Sequence, residues 1–179
     1  MEQKRCFFIG HRDTPETVKP TLQAAVEQHI VEYGVTEFLV GRYGAFDRMA
    51  AECVIAAKKQ HPQVVLTLLL PYHPGERKVT LPIGFDGSLY PPGQETVPRR
   101  VAIVRANRYG VKTSDCVIAY AIYPGSNARK IFNYAIVTPK KRLQNLAECD
   151  CGDQTIIHFE KKRETPNYVN YRNNDKCYE

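Results

Sequence analysis

Apolar positions along the chain alternate between strand-like runs and helical spacing. A short β-prone run, Arg5 to Ile9, is closed by Gly10. Val18, Leu22, Ala25, Val26, Ile30 and Tyr33 then recur with helical period, which predicts an amphipathic helix. Thr14-Pro15-Glu16 reads as its start: Thr as N-cap, Pro at the first helical position and an acid in the first turn. Gly34 reads as its stop. Val35 to Val40 is a second strand, and Gly41 to Ala45 the turn after it. Met49, Ala50, Cys53, Val54 and Ala57 share one face of a second helix that starts near Phe46 and stops at His61-Pro62. Val64 to Leu70 shows no polar alternation, as expected of a strand buried on both faces of a parallel sheet. A third helix is expected over Thr96 to Thr113, with Val97, Val101, Val104 and Val111 inward and Gly110 as its weak point. Asp115 to Ala121 is a fourth strand, Asn127 to Val137 a fourth helix stopped by Pro139, and Arg142 to Leu146 a fifth strand.

Residues 71–95 interrupt this order with Pro71, Pro74, Pro82, Pro91, Pro92, Gly75, Gly84, Gly87 and Gly93. So long a stretch inside a compact domain reads as an insertion or a functional lid. Beyond residue 147 the chain turns polar, with one strand candidate at Thr155 to Phe159 and an end expected to fray. The whole predicts an α/β fold: a three-layer sandwich around a mostly parallel sheet of about five strands. It spans residues 1–147, and 148–179 form a C-terminal extension partly ordered against it. Right-handed crossovers place all strand carboxyl ends on one edge.

Composition narrows the class. Apolar residues make up 43% and charged residues 25%, which supports a packed core and argues against disorder. The start of the chain lacks the apolar stretch and cleavage site of a secretory signal, and no run spans a bilayer, so a cytoplasmic protein without membrane contact is expected. Cys6, Cys53 and Cys116 fall in apolar-periodic segments, and Cys149-Asp150-Cys151 has no second pair at zinc spacing. No metal and no cofactor are therefore expected. The net charge is +6, and the middle third carries most of it: residues 61–139 hold nine basic and four acidic side chains. The excess reads either as a solvated surface or as attraction for an anion. No dense basic stripe with interleaved aromatics is evident, so nucleic acid is not expected as a partner.

The carboxyl edge collects the unusual residues. The first strand delivers Gly10, His11 and Arg12, and the second Gly41, Arg42, Tyr43 and Gly44, with Asp47 close behind. The third delivers Tyr72, and the fourth Tyr123, Gly125, Ser126 and Asn127. Ligands of open α/β sheets bind at this edge, where strand order reverses. Glycines there let backbone amides approach a ligand, and following helices aim their N-termini at an anion. Arg105, Arg108 and Arg129 add cations. Each residue also has a plainer reading as a turn glycine, a buried structural histidine, a helix-start acid or a solvated arginine. There is no G-x-G-x-x-G, no P-loop and no G-x-S-x-G elbow.

At these residues the chain resembles the SLOG superfamily, and within it the DUF1273/YpsA-like "GHR" proteins. The matching pieces are Phe8 to Arg12, Gly41 to Ala50, Arg105 to Tyr120 and the Pro124-Gly125-Ser126 turn. The resemblance implies a Rossmann-like fold that binds or senses a nucleotide-derived, phosphate-bearing small molecule, with phosphate and ribose contacts from the first, second and fourth loops. It leaves a homodimer open. More distant relatives are the LOG-type phosphoribohydrolases, which cleave nucleoside monophosphates and carry P-G-G-x-G-T-x-x-E. Laid on Pro124 to Phe132, that motif has Ser126, Ala128, Arg129 and Phe132 where the family has Gly, Gly, Thr and the catalytic Glu. Asp47 and Glu52 are the nearby carboxylates that could replace it. A DNA-processing accessory role, as in the DprA branch of the superfamily, is the further alternative.

Overall fold

The structure is a computed structural model that describes residues 3–76 and 79–148. The strand predicted at Thr155 to Phe159, the Cys149–Cys151 pair and Cys177 lie outside the described residues. The order of elements is β1 (Lys4–Gly10), a 3-10 turn (Glu16–Val18), α1 (Lys19–Val31), β2 (Val35–Val40), α2 (Ala45–Ala57), β3 (Val65–Leu69) and β4 (Gly87–Leu89). A second 3-10 turn (Gln94–Thr96), α3 (Arg99–Thr113), β5 (Cys116–Tyr120), α4 (Asn127–Val137), β6 (Arg142–Asn145) and a last 3-10 turn (Leu146–Glu148) follow. The six strands form one sheet in the order β4-β3-β2-β1-β5-β6. Every pair is parallel. This is the Rossmann-like α/β architecture.

Strand pleating sorts the core into two layers. Cys6 and Phe8 of β1 point into the cluster built with Leu22 and Val26 of α1 and Phe46, Met49 and Val54 of α2. Phe7 and Ile9 point the other way, toward Ala106 and Val111 of α3 and Ile131, Phe132 and Ala135 of α4. Period-two alternation in one central strand thus feeds both helical layers.

The sixth strand, β4, comes from the Pro/Gly-rich segment. Gly87-Ser88-Leu89 has no apolar periodicity to announce it, so the count of about five fell short. An ionic anchor places it: the Asp86 carboxylate accepts the Leu66 amide at 2.7 Å and pairs with Lys58 at 2.6 Å. The next residues then lie beside β3 in register, Leu68 against Ser88.

Two helix readings need correction. Thr14 does not cap α1: its hydroxyl donates to the His11 carbonyl at 2.8 Å, and the chain makes a 3-10 turn before α1 proper starts at Lys19. In α3 the inward face is Ala102, Ala106, Gly110 and Val111, while Val101 is exposed. The reason is clearance. A Cβ on Gly110 would lie 2.8 Å from the Phe7 ring, so the helix approaches the sheet mainly through its small residues, with Val111 as the buried valine. Among the described residues, no helix is long and apolar enough to cross a membrane.

Candidate functional site

The strand order reverses between β1 and β5. From β1 the chain leads through α1 to β2 on one side, and from β5 through α4 to β6 on the other. The diverging connections open a crevice above the two carboxyl ends. A cavity of about 510 Å³ fills it. Gly10, His11, Arg12, Gly41, Tyr43, Gly44, Asp47, Tyr123, Ser126 and Asn127, all singled out from the sequence, line this cavity. Residues from three separate loops therefore meet at one rim.

Other candidates stand off it. Arg42, Arg105 and Arg108 are exposed, and Arg108 lies 5.3 Å over the Tyr134 ring. The Arg129 guanidinium lies 6.0 Å over the Phe132 ring. Tyr72 meets Tyr43 edge-on at 6.4 Å, one ring back from the cavity wall. Gly125 sits in the α4 turn with open space where a Cβ would be. Glu52 is drawn into a surface network with Lys19 at 2.5 Å and Arg48 at 3.0 Å, which turns it away from the cavity. It cannot serve there as a substitute catalytic carboxylate. Asp13, Leu69, Pro71, Ile103, Ala106 and Asn107 also line the cavity. Sequence reasoning missed them. Asn107 carried a weak signal, a small polar residue beside the inward stripe of α3, but only the packing of α3 over the crevice gives it meaning.

His11 ties the crevice together. It is 6% exposed, and its Nε2 accepts the amide of Ile122 at 2.9 Å and, more weakly, that of Tyr123 at 3.4 Å. An Nε2 that accepts must be unprotonated, so the ring is neutral with its proton on Nδ1. Burial lowers its pKa; Asp13 opposes the shift and Arg129 adds to it. His11 thus links the β1 loop to the β5 loop across the switch point. Arg12 extends the seam: its Nε donates to the Tyr43 carbonyl at 3.3 Å, and its own carbonyl accepts the Ala45 amide at 2.8 Å. Gly44 lets the two loops touch, because a Cβ there would lie 2.9 Å from Arg12 Cα. Gly10 answers to packing instead: a Cβ would lie 2.1 Å from the Phe46 ring, beneath the crevice.

Asp47 changes the picture of the second loop. It is the third residue of α2, and its Oδ2 accepts the Tyr43 amide at 2.9 Å. This is the backward reach of a capping-box acid. Burial pushes its carboxyl up to about 6, and hydrogen bonds from the Tyr43 and Gly44 amides hold it back. The amides expected to cradle a phosphate here are already engaged by a protein carboxylate. The fourth loop differs. The Ser126 hydroxyl accepts the Arg129 amide at 3.1 Å, which starts α4 cleanly at Asn127. The Asn127 and Ala128 amides belong to the first turn, where no intrahelical carbonyl can satisfy them.

The charge also falls differently from the expectation. Among the described residues, the cavity is lined by one cation, Arg12, and two carboxylates, Asp13 and Asp47. These described residues do not make it a cationic pocket. The basic excess lies on α3, whose sequence Arg99 to Thr113 holds five cations and no acid. Arg105, Arg108 and Lys112 follow each other along its exposed stripe, and Tyr134 of α4 stands under Arg108. Helical spacing alone puts these cations on one stripe, and tertiary packing adds the Tyr134 ring beneath Arg108. Phe132, at the place of the LOG glutamate, is 3% exposed and belongs to the core.

No protein-family model and no curated protein matches the chain. Solved structures do share its fold. DNA processing protein A (DprA) from Streptococcus pneumoniae superposes with a TM-score of 0.57 and 15% identity, over 79% of this chain and 49% of that one. DNA processing protein A from Helicobacter pylori, described for its single-stranded DNA binding mode, superposes with a TM-score of 0.50 and 18% identity, over 78% of this chain and 63% of that one. The chain spans about half the length of the first and under two thirds of the second. At such identities the likeness is one of fold. It does overturn the expectation that nucleic acid is no partner for this architecture, since a neighbour with the same fold binds single-stranded DNA.

Proposed function

We propose that the crevice between the β1 and β5 loops binds a nucleotide-derived, phosphate-bearing ligand, and that the chain is a SLOG-type domain of the DUF1273/YpsA-like kind. The observation that carries this reading is the meeting of three loop sets around one cavity of about 510 Å³ at the topological switch point. Within it the polar groups divide by chemistry. The first-turn amides of α4 and the Arg12 guanidinium suit phosphate oxygens. Asp13 and Asp47 are acceptors that suit ribose hydroxyls, and the Tyr123 ring offers a stacking surface for a base. Binding is favoured over glycosidic cleavage because the position of the LOG glutamate is a core phenylalanine. Calorimetry with a panel of nucleoside mono- and diphosphates tests the reading. Arg12→Ala is expected to weaken the best ligand by about 1–3 kcal/mol, the loss of one charge-assisted contact. Absence of heat with every member of the panel would refute it.

A second reading has its own support. The acid-free face of α3, with Arg105, Arg108 and Lys112, suits the backbone of a single DNA strand whose nucleotide enters the crevice. Retention of an oligothymidylate should then fall steeply with salt and fall further in Arg105→Glu/Arg108→Glu. A strand that does not bind at low salt removes this reading and leaves the first intact.

A further inference from the structure

The opposite, amino edge of the sheet carries a second concavity. A cavity of about 440 Å³ lies there among the start of β1, the end of α1 and the entries to β5 and β6. Lys4, Lys140, Lys141 and Arg142 line it, against the carboxylates Glu32 and Asp115. None of these four cations forms a salt bridge among the described residues. Lys4, Lys141 and Arg142 are held by neutral partners instead. The Lys4 ammonium donates to the Tyr33 carbonyl at 3.0 Å. The Lys141 ammonium donates to the carbonyls of Lys112 and Ser114, at the end of α3. The Arg142 guanidinium lies over the Tyr33 ring, 3.7 Å from its centroid, and the ring takes up none of its N–H donors as an ion pair would. Carbonyls and a ring orient these charges without neutralising them.

The two acids keep their charge but accept hydrogen bonds from neutral groups, so the lining holds four cations against two carboxylates. Asp115 accepts the Arg5 amide at 2.9 Å, and Glu32 accepts from Gln28 at 2.9 Å. Lys140 stands at φ 60, the one non-glycine residue with positive φ among the described residues. That conformation is unfavourable for a lysine. It persists in an exposed residue of the cavity lining, followed directly in the chain by Lys141 and Arg142. Desolvation lowers the pKa of Lys141, and Asp115 opposes that shift.

We propose that this amino-edge cavity is a second anion site that takes a phosphate group, separate from the nucleotide crevice on the opposite edge. Lys140 and Arg142 contact the phosphate, and Lys4 and Lys141 supply field from fixed positions. One phosphate chemistry has two sources here, a free polyphosphate-type metabolite or the backbone of a strand that wraps past the domain.

Amide chemical shifts of the full chain, titrated separately with inorganic pyrophosphate and with an oligothymidylate, test the proposal. Pyrophosphate should shift Tyr33, Cys116, Lys140 and Arg142 together. Lys140→Glu and Arg142→Glu should each weaken that response by about tenfold or more. Lys140→Gly is the control for fold. Glycine suits a positive φ, so the variant should melt no lower than wild type and still bind more weakly. If the oligothymidylate also moves these amides and the same variants weaken it, the source is a strand; if only pyrophosphate does, the source is a free metabolite. Either result supports the site. Absent shifts at these amides, or shifts that Lys140→Gly and Arg142→Glu leave unchanged, overturn it.

Discussion

His11 is the residue whose role the structure defines most sharply, and removing it gives a calculable result. Its Nε2 is the acceptor for the Ile122 amide at 2.9 Å, in a site that is 6% exposed. In His11→Ala that amide loses its acceptor in a partly buried place, which costs about 1–3 kcal/mol. The ring also packs against Tyr123 with centroids 4.8 Å apart, and its loss leaves a void. Together the two effects should destabilise the domain by about 2–4 kcal/mol. His11→Phe separates them, because phenylalanine keeps the ring volume and supplies no acceptor. It should recover the packing part and retain the amide part. Urea denaturation of the three proteins gives the values. The proton position can be read directly from imidazole nitrogen shifts, which should show Nε2 bare at neutral pH and a titration below 6.5, the ordinary histidine value. With a folded pKa below the unfolded one, this group's contribution to stability is complete above the unfolded pKa and declines as pH falls below it. The reasoning fails if His11→Phe is as stable as wild type, or if Nε2 carries the proton at neutral pH.

Further outcomes follow from other buried groups. His29 is fully buried, donates its Nδ1 proton to the Ala25 carbonyl, and has its pKa lowered to about 4 by burial. The unfolded state binds this proton first, so His29 draws stability down by up to about 3 kcal/mol as pH falls from 6.5 toward 4, and His29→Gln should flatten that part of an acid-denaturation curve. Asp47 has the opposite sign. Its carboxyl is raised to about 6, so its ionised form opposes folding as pH rises from 3.8 through 6, and Asp47→Asn should stabilise the domain at neutral pH by about 1–3 kcal/mol in thermal melts. The two dependences overlap and largely cancel in the wild type; a pH–stability profile that neither variant changes would disprove both assignments. Gly110→Ala sets helix propensity, a gain of about 1 kcal/mol, against a Cβ placed 2.8 Å from the Phe7 ring, and the clash should win with a net loss of about 1–2 kcal/mol. A more stable Gly110→Ala protein would show that α3 is free to move off the sheet.

Much of this protein is legible from local signals. The span Val35–Val40 follows from its apolar run, and Asn127–Val137 from Ser126 as cap and Pro139 as stop, because both signals act within a few residues. Helices and strands in alternation fix a parallel sheet, and a parallel sheet fixes a carboxyl edge, so ten of the residues nominated for that edge do meet around one cavity. What local signals cannot carry is who occupies whose hydrogen bonds. Gly41 to Asp47 looks like an anion loop in sequence; only the fold reveals that Asp47 reaches back to the Tyr43 amide. Gly10 looks like a ligand glycine, yet the Phe46 ring claims its space. The Tyr134 ring under Arg108, and the approach of Lys4 and Tyr33 to residues 140–142 at the amino edge, join residues far apart in the chain. Their proximity is set by strand order and helix packing, which depend on non-local contacts and leave no periodic trace in the sequence.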